Sequence, residues 1–196
     1  MAAVDSPEMG QFTSYEQRVK ARKMMMWLGI VGMIMLFAAL TSAYIVAAGG
    51  PGWIEVPVPN GFYMSTIFIV LSSGAVWFAT NAVKNNNHMG ITAGLGIALL
   101  LGAGFVVSQL SSWNELVANG FYFTGGSAAS SYLYMISGVH LAHMVAGILS
   151  LGVTTFRAVG QNYTSERKLG LELAAIFWHF LGVLWVYLLL FLLFIR

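Results

Sequence analysis

The chain has 196 residues, of which 58% are hydrophobic and only 8% charged, and its mean hydropathy is +0.77. A soluble domain of this length would need far more charge to cover its surface, and a formal net charge of +2 gives no footing for nucleic acid. The absence of cysteine excludes disulfides, thiolate metal sites and cysteine nucleophiles.

Residues 1–23 read as a cytoplasmic N-terminal segment ahead of a transmembrane domain at 24–196. Within it, Met1–Gly10 is expected to be disordered, and Ser14–Lys23 to be a charged helical extension of the first span. No cleaved signal is expected, because the apolar run that follows is too long for a signal h-region. No lipid-anchor motif is expected either.

The apolar runs are Met24–Ala48, Gly61–Ala82, Met89–Leu110, Tyr132–Thr155 and Leu171–Ile195. Each is long enough, at about 1.5 Å per residue, to cross a hydrocarbon core of roughly 30 Å. The alternation of a membrane β-barrel is missing, so the expected fold is all-α: a polytopic bundle of five transmembrane helices. The Lys and Arg residues set its orientation. Arg18, Lys20, Arg22 and Lys23 precede span one, Lys84 lies between spans two and three, and Arg157, Arg167 and Lys168 lie between spans four and five. The other two loops carry only Glu55 and Glu115, and Arg196 alone breaks the pattern. The positive-inside rule then puts the N-terminus in the cytoplasm and the C-terminus outside, on the periplasmic side of an inner membrane.

The outer loops hold Trp53, Trp113, Tyr122 and Phe123, which suit an interfacial aromatic belt or a docking surface for a partner. Ser111–Ser131 is the longest link, with room for a short surface helix at Trp113–Ala118. Span three carries Gly90, Gly94, Ala98 and Gly102 at a four-residue spacing, and span four carries Gly138, Ala142 and Ala146. Such smooth stripes let helices approach closely in lipid. The run Leu188–Phe194 has no small residue and is expected to face lipid or a large apolar partner.

No Asp, Glu, Lys or Arg falls in the middle of a span, which leaves no conduit for ions or protons. Histidine remains. His140 and His143 share a face of span four, and His179 lies on span five. They read as neutral histidines bonding between helices, with Trp178 donating its indole proton likewise. The alternative is a haem or metal site, and it lacks carboxylates, thiolates and a deep cation for propionates. Glu172, in the first turn of span five, suits a helix N-terminus, a pair with Arg157, or a lipid headgroup bound by both.

Two stretches carry a resemblance. Span four reads Ser137-Gly138-Val139-His140-Leu141-Ala142-His143, then Met144-Val145-Ala146-Gly147; span five reads Glu172-Leu173-Ala174-Ala175-Ile176-Phe177-Trp178-His179-Phe180 and continues to Trp185. Together they resemble the His-containing segments of subunit III of haem-copper cytochrome c oxidases. Span one, with Met26-Trp27-Leu28 and Phe37-Ala38-Ala39-Leu40, resembles the helix that opens the family's conserved bundle. Five helices look like the shorter bacterial form, which lacks the first two of seven. Met33 stands where the family commonly has a carboxylate, and Gly182 where it has an Asp.

The resemblance implies a non-catalytic subunit of a proton-pumping terminal oxidase, with no haem or copper of its own. It implies direct packing on subunit I, association with subunit II and small subunits or a larger supercomplex, and bound phospholipid in a groove. It implies support of assembly, stability and proton uptake, and it favours cytochrome c over quinol as donor. Two competing readings remain at this point. One is a b-type haem-carrying cytochrome using His140, His143 and His179. The other is a small transporter, for which no polar pathway is visible.

Overall fold

A computed structural model describes residues 7–51, 53–160 and 168–195, with side chains from Glu16 onward. Five helices follow one another: α1 (Pro7–Ala48), α2 (Asn60–Lys84), α3 (His88–Ala118), α4 (Ala128–Val159) and α5 (Leu169–Phe194). All five are long and apolar enough to cross a membrane, and the described residues form no strand. Arg167, which supports the orientation, and Arg196, which breaks its pattern, lie outside the described residues, as do residues 1–6.

The helix ends explain the connections. Between α2 and α3 stand only Asn85, Asn86 and Asn87, and Asn86 takes the left-handed conformation at φ 50°. Asparagine tolerates that region because its short side chain bonds locally. The Asn87 side chain then accepts from Gly90 N at 3.0 Å and caps α3. So tight a link forces α2 and α3 into an antiparallel hairpin. Ser127 caps α4 in the same way, through Ser130 N at 3.2 Å.

Three elements differ from the sequence expectation. Helix α1 is already formed at Pro7, so residues 7–10 are helical; proline's missing N–H costs nothing in the first turn of a helix. Trp113–Ala118 is no separate surface helix but the end of α3, which Asn119 caps and Gly120, at φ 82°, follows. The Leu188–Phe194 run is largely interior: Leu188, Leu189, Phe191 and Leu192 are buried, while Leu190 and Phe194 are exposed. The reason is local. Tyr44 packs edge-on against Phe191 at 5.3 Å, Trp53 at 5.0 Å and Tyr132 at 6.0 Å, closing the end of the bundle at which α1 and α5 finish. Trp53 and Trp113 therefore fold inward, whereas Tyr122 and Phe123 are exposed.

Helix α5 is the hub, touching α1, α2 and α4, with Trp178 and Trp185 fully buried. Helix α1 lies in the furrow of α4 and α5 through Ile30, Phe37, Thr41 and Tyr44, and it does not touch α2 or α3. A groove therefore opens between α1 and α2, with the exposed Val183, Tyr187 and Leu190 of α5 as its floor.

The α3 stripe packs as expected on one side. A Cβ added at Gly94 would lie 2.9 Å from Ala79 Cβ and 3.0 Å from the Ala75 carbonyl; at Gly102 it would lie 2.7 Å from the Trp178 ring. The opposite face, with Ile97, Leu100 and Val107, is exposed, so α3 is not enclosed all round. On α4 the stripe does not pack against another helix of this chain. Ala142 and Ala146 point outward and Gly138 is half-buried, while His140, Met144, Gly147 and Leu151 form the packed face. Gly147 is the close-contact glycine, where a Cβ would meet Leu181 at 2.9 Å.

Because backbone lines the Gly94 contact, Gly94→Leu should impair assembly by overpacking, at about 1–3 kcal/mol or more. Leu190→Ile, on an exposed position, should leave assembly unchanged. Detergent-extractable yield and thermal unfolding of the two variants check this; equal losses would mean the packed faces are misassigned.

Candidate functional site

In a bilayer core no water satisfies a polar group, so each must find a partner within the protein. Most of this chain's do. Trp178 Nε1 donates to Ser72 Oγ at 2.9 Å, and Ser72 Oγ donates to the Ala98 carbonyl at 3.1 Å. One buried hydroxyl thus joins α5, α2 and α3. Trp185 Nε1 donates to Thr66 Oγ1 at 3.0 Å, and Gln109 Nε2 donates to Ser65 Oγ at 2.8 Å. Trp113 Nε1 donates to Ser137 Oγ at 3.1 Å, linking α3 to α4. The expected interhelical bond of Trp178 is present.

The histidines behave differently. His140 is fully buried, and neither ring nitrogen has a hydrogen-bond partner among the described residues. Its ring stacks on Trp185 at 5.1 Å and meets the edges of Phe105 at 5.9 Å and Phe37 at 6.1 Å. The expectation that it bonds between helices is wrong: it packs as an aromatic plate. His143 also meets Phe37, at 5.9 Å, and its Nδ1 lies 2.8 Å from the Val139 carbonyl of its own helix. His179 makes neither contact and lines a cleft between α5 and α2 with Ser73 and Gly182. The described residues contain no group of three His, Cys, Asp or Glu side chains placed to hold a metal.

Glu172 does not pair with Arg157. Its carboxylate meets Lys168 Nζ at 3.2 Å and Lys23 Nζ at 3.5 Å, tying the base of α1 to the base of α5. Both pairs are partly solvated, a setting in which an ion pair contributes about 0–1 kcal/mol. Arg157 sits in the last turn of α4. Met33 is half-buried on the α1 face that carries Ile30 and Phe37.

Sequence reasoning passed over Gln109, whose Oε1 is buried without a partner. The signal was there: an amide inside an apolar run. Drawing the end of span three at Leu110 placed it at the interface, whereas the helix continues for two further turns.

Five apolar helices held by buried hydroxyl, amide and indole bonds define a multi-pass membrane protein of the helical-bundle class. The family model for cytochrome c oxidase subunit III matches residues 9–195. Subunit 3 of the cytochrome bo(3) ubiquinol oxidase of Pseudomonas putida is 28% identical over 82% of this chain and 79% of its own length. The cytochrome c oxidase subunit 3 of Bacillus sp. (strain PS3) is 30% identical, with the same coverage of 82% and 79%. A probable cytochrome c oxidase subunit 3 of Rickettsia felis is 34% identical over 64% of this chain and 45% of its own length. The chain belongs to the cytochrome c oxidase subunit III family. It is a subunit III of a haem-copper oxidase, and the haem-carrying alternative finds no support in these matches.

The two kinds of buried ring separate by substitution. Trp178→Phe removes a satisfied bond and should lower the thermal midpoint, by about 0.5–1.5 kcal/mol in stability. His140→Phe removes two unbonded nitrogens from an apolar site and should leave the midpoint unchanged or raise it. Thermal denaturation of the purified complex in detergent orders the two; a larger loss from His140→Phe would reveal a partner for that ring in the assembly.

Proposed function

We propose that this chain is a supporting subunit of a proton-pumping terminal oxidase in a bacterial inner membrane, with no haem, copper or catalytic residue of its own. The observation that carries the reading is the state of the interior. The indoles of Trp113, Trp178 and Trp185 are bonded to hydroxyls of neighbouring helices, and the one fully buried histidine is enclosed by aromatic rings. Such an interior neither relays protons nor holds a redox centre.

Action then passes through contact. The chain packs directly on subunit I, beside subunit II and small subunits, with bound phospholipid and a place in a larger supercomplex. Arg157 and Glu172 face the headgroup region, and Lys23 and Lys168 add charge there. A further chain, or added helices of subunit I, covers the groove between α1 and α2, with lipid between. Cytochrome c is the proposed donor, on the family's name. The Pseudomonas relatives are named as ubiquinol oxidase subunits, and a supporting subunit that never touches the donor would serve either complex alike.

The orientation proposal keeps the N-terminus in the cytoplasm. A reporter fused after Arg196 should behave as periplasmic, and cytoplasmic activity of that fusion would sink the orientation. The functional proposal concerns endurance. Complex depleted of this chain should retain its haem spectrum and part of its initial oxygen reduction. It should lose assembly yield, proton-uptake rate near neutral pH, or activity over many turnovers. A turnover time course with and without the chain measures this. Outright loss of the oxygen-reducing centre in every mild preparation would replace support with a direct structural role at the metals.

A further inference from the structure

The cleft between α2 and α5 has a volume of 290 Å³ and is lined by Ile69, Val70, Ser73, His179, Gly182 and Val183. It differs from the rest of the apolar surface in one respect. Ser73 Oγ and the His179 ring make no hydrogen bond with any other described residue, and both line this one cleft. Their neighbours in sequence, Ser72 and Trp178, are bonded to each other inside the bundle. Open hydrogen-bonding capacity at this depth is costly unless something fills it, because the hydrocarbon offers no water.

Gly182 makes the room. A Cβ there would stand 3.2 Å from Ser73 Oγ and 3.4 Å from Ile69 Cγ1, so a larger side chain would fill the floor. Depth selects the occupant. Glu172, with Lys23 and Lys168, marks the charged boundary, and His179 lies seven residues further along α5, about 10 Å deeper. A phospholipid keeps its phosphate and ester groups at the boundary and offers only methylenes at the level of His179. A molecule that bonds both Ser73 and His179 must carry its polar group into the apolar layer.

We propose that this cleft binds a membrane-dissolved small molecule whose polar head, a ring carbonyl or hydroxyl of the quinone class, meets Ser73 and His179. The volume suits one substituted ring, and the groove floor of Val183, Tyr187 and Leu190 offers a track for an apolar tail. The proposal is one of binding, with no electron transfer. It goes beyond the supporting role, and retention of the catalytic subunit in each preparation reports on that role separately.

The test is photolabelling of the whole oxidase complex, purified in mild detergent, with an azido-benzoquinone bearing a decyl tail. Labelled peptides should map to the Val70–Ser73 turn of α2 and the Gly182–Val186 turn of α5. Unlabelled decyl-benzoquinone should compete, and excess phosphatidylcholine should not. Ser73→Ala and His179→Leu should each cut labelling by roughly three- to tenfold, the loss of about one hydrogen bond. His179→Gln, which keeps a hydrogen-bonding group, should retain most of it. Gly182→Leu should abolish labelling, and the His179 pair decides the matter if that variant does not assemble. Labelling indifferent to the Ser73 and His179 changes, or displaced as readily by phosphatidylcholine, would overturn the proposal in favour of an acyl chain. Absence of label from an intact complex would overturn it as well.

Discussion

The bundle depends on one hydroxyl more than on any other polar atom. Ser72 accepts the indole proton of Trp178 and gives its own proton to the Ala98 carbonyl. In lipid there is little hydrophobic drive between helices, so association rests on close packing and on bonds that have nowhere else to go. Ser72 supplies both requirements at one point, since the bond fixes Trp178 against Gly102, where only a glycine leaves space for the ring. The α2–α3 hairpin is thereby locked to α5. Remove the bond and the largest buried side chain of the hub helix loses its orientation.

From that lock the rest follows in layers. Toward the C-terminal end of α5, Trp185 on Thr66, Gln109 on Ser65 and Trp113 on Ser137 repeat the pattern of a ring or amide on a small hydroxyl of a neighbouring helix. Each hydroxyl also donates within its own helix: Thr66 and Ser65 to the Phe62 carbonyl and Ser137 to that of Leu133. Between these ties sits His140, whose neighbours are rings and not acceptors. A histidine so placed adds shape and not charge. That agrees with an interior which, at Met33 and Gly182, lacks the acids that the family resemblance leads one to expect.

The spans, their order and the family were legible because long apolar runs, basic loops and two histidine motifs are properties of the chain alone. The faces were only half legible. The stripe of Gly90, Gly94, Ala98 and Gly102 lies on the packed side, but that of Gly138, Ala142 and Ala146 does not, although the spacing is the same. Small residues permit close approach without saying which neighbour approaches; α4 presents its packed sides to α1, α3 and α5 and leaves Ala142 and Ala146 outward. Likewise Leu188–Phe194 reads as facing lipid or a large apolar partner, yet Tyr44 packs on Phe191, a contact between segments far apart in sequence. The bonding of His140, His143 and Glu172 was not legible either, because residue type fixes what a side chain can bond but not which atoms come within 3.5 Å.

The same reasoning separates the two sides of the molecule. Helix α5 buries half of its apolar window and α1 only 22%, so α1 is held by few contacts and by the Lys23–Glu172 pair at its base. A helix so lightly attached is poorly fixed by this chain alone, and its outer face, with Leu28, Met35 and Val46, is apolar along its length. The α2–α3 hairpin is the opposite case, fixed by backbone-to-backbone proximity at Gly94. Rigidity therefore lies with α2, α3 and α5, and adaptability with α1. A subunit that acts by contact needs both: a firm body to hold a neighbour's shape, and an edge whose final position the neighbour sets. The groove between α1 and α2, floored by α5, lies where the two regimes meet.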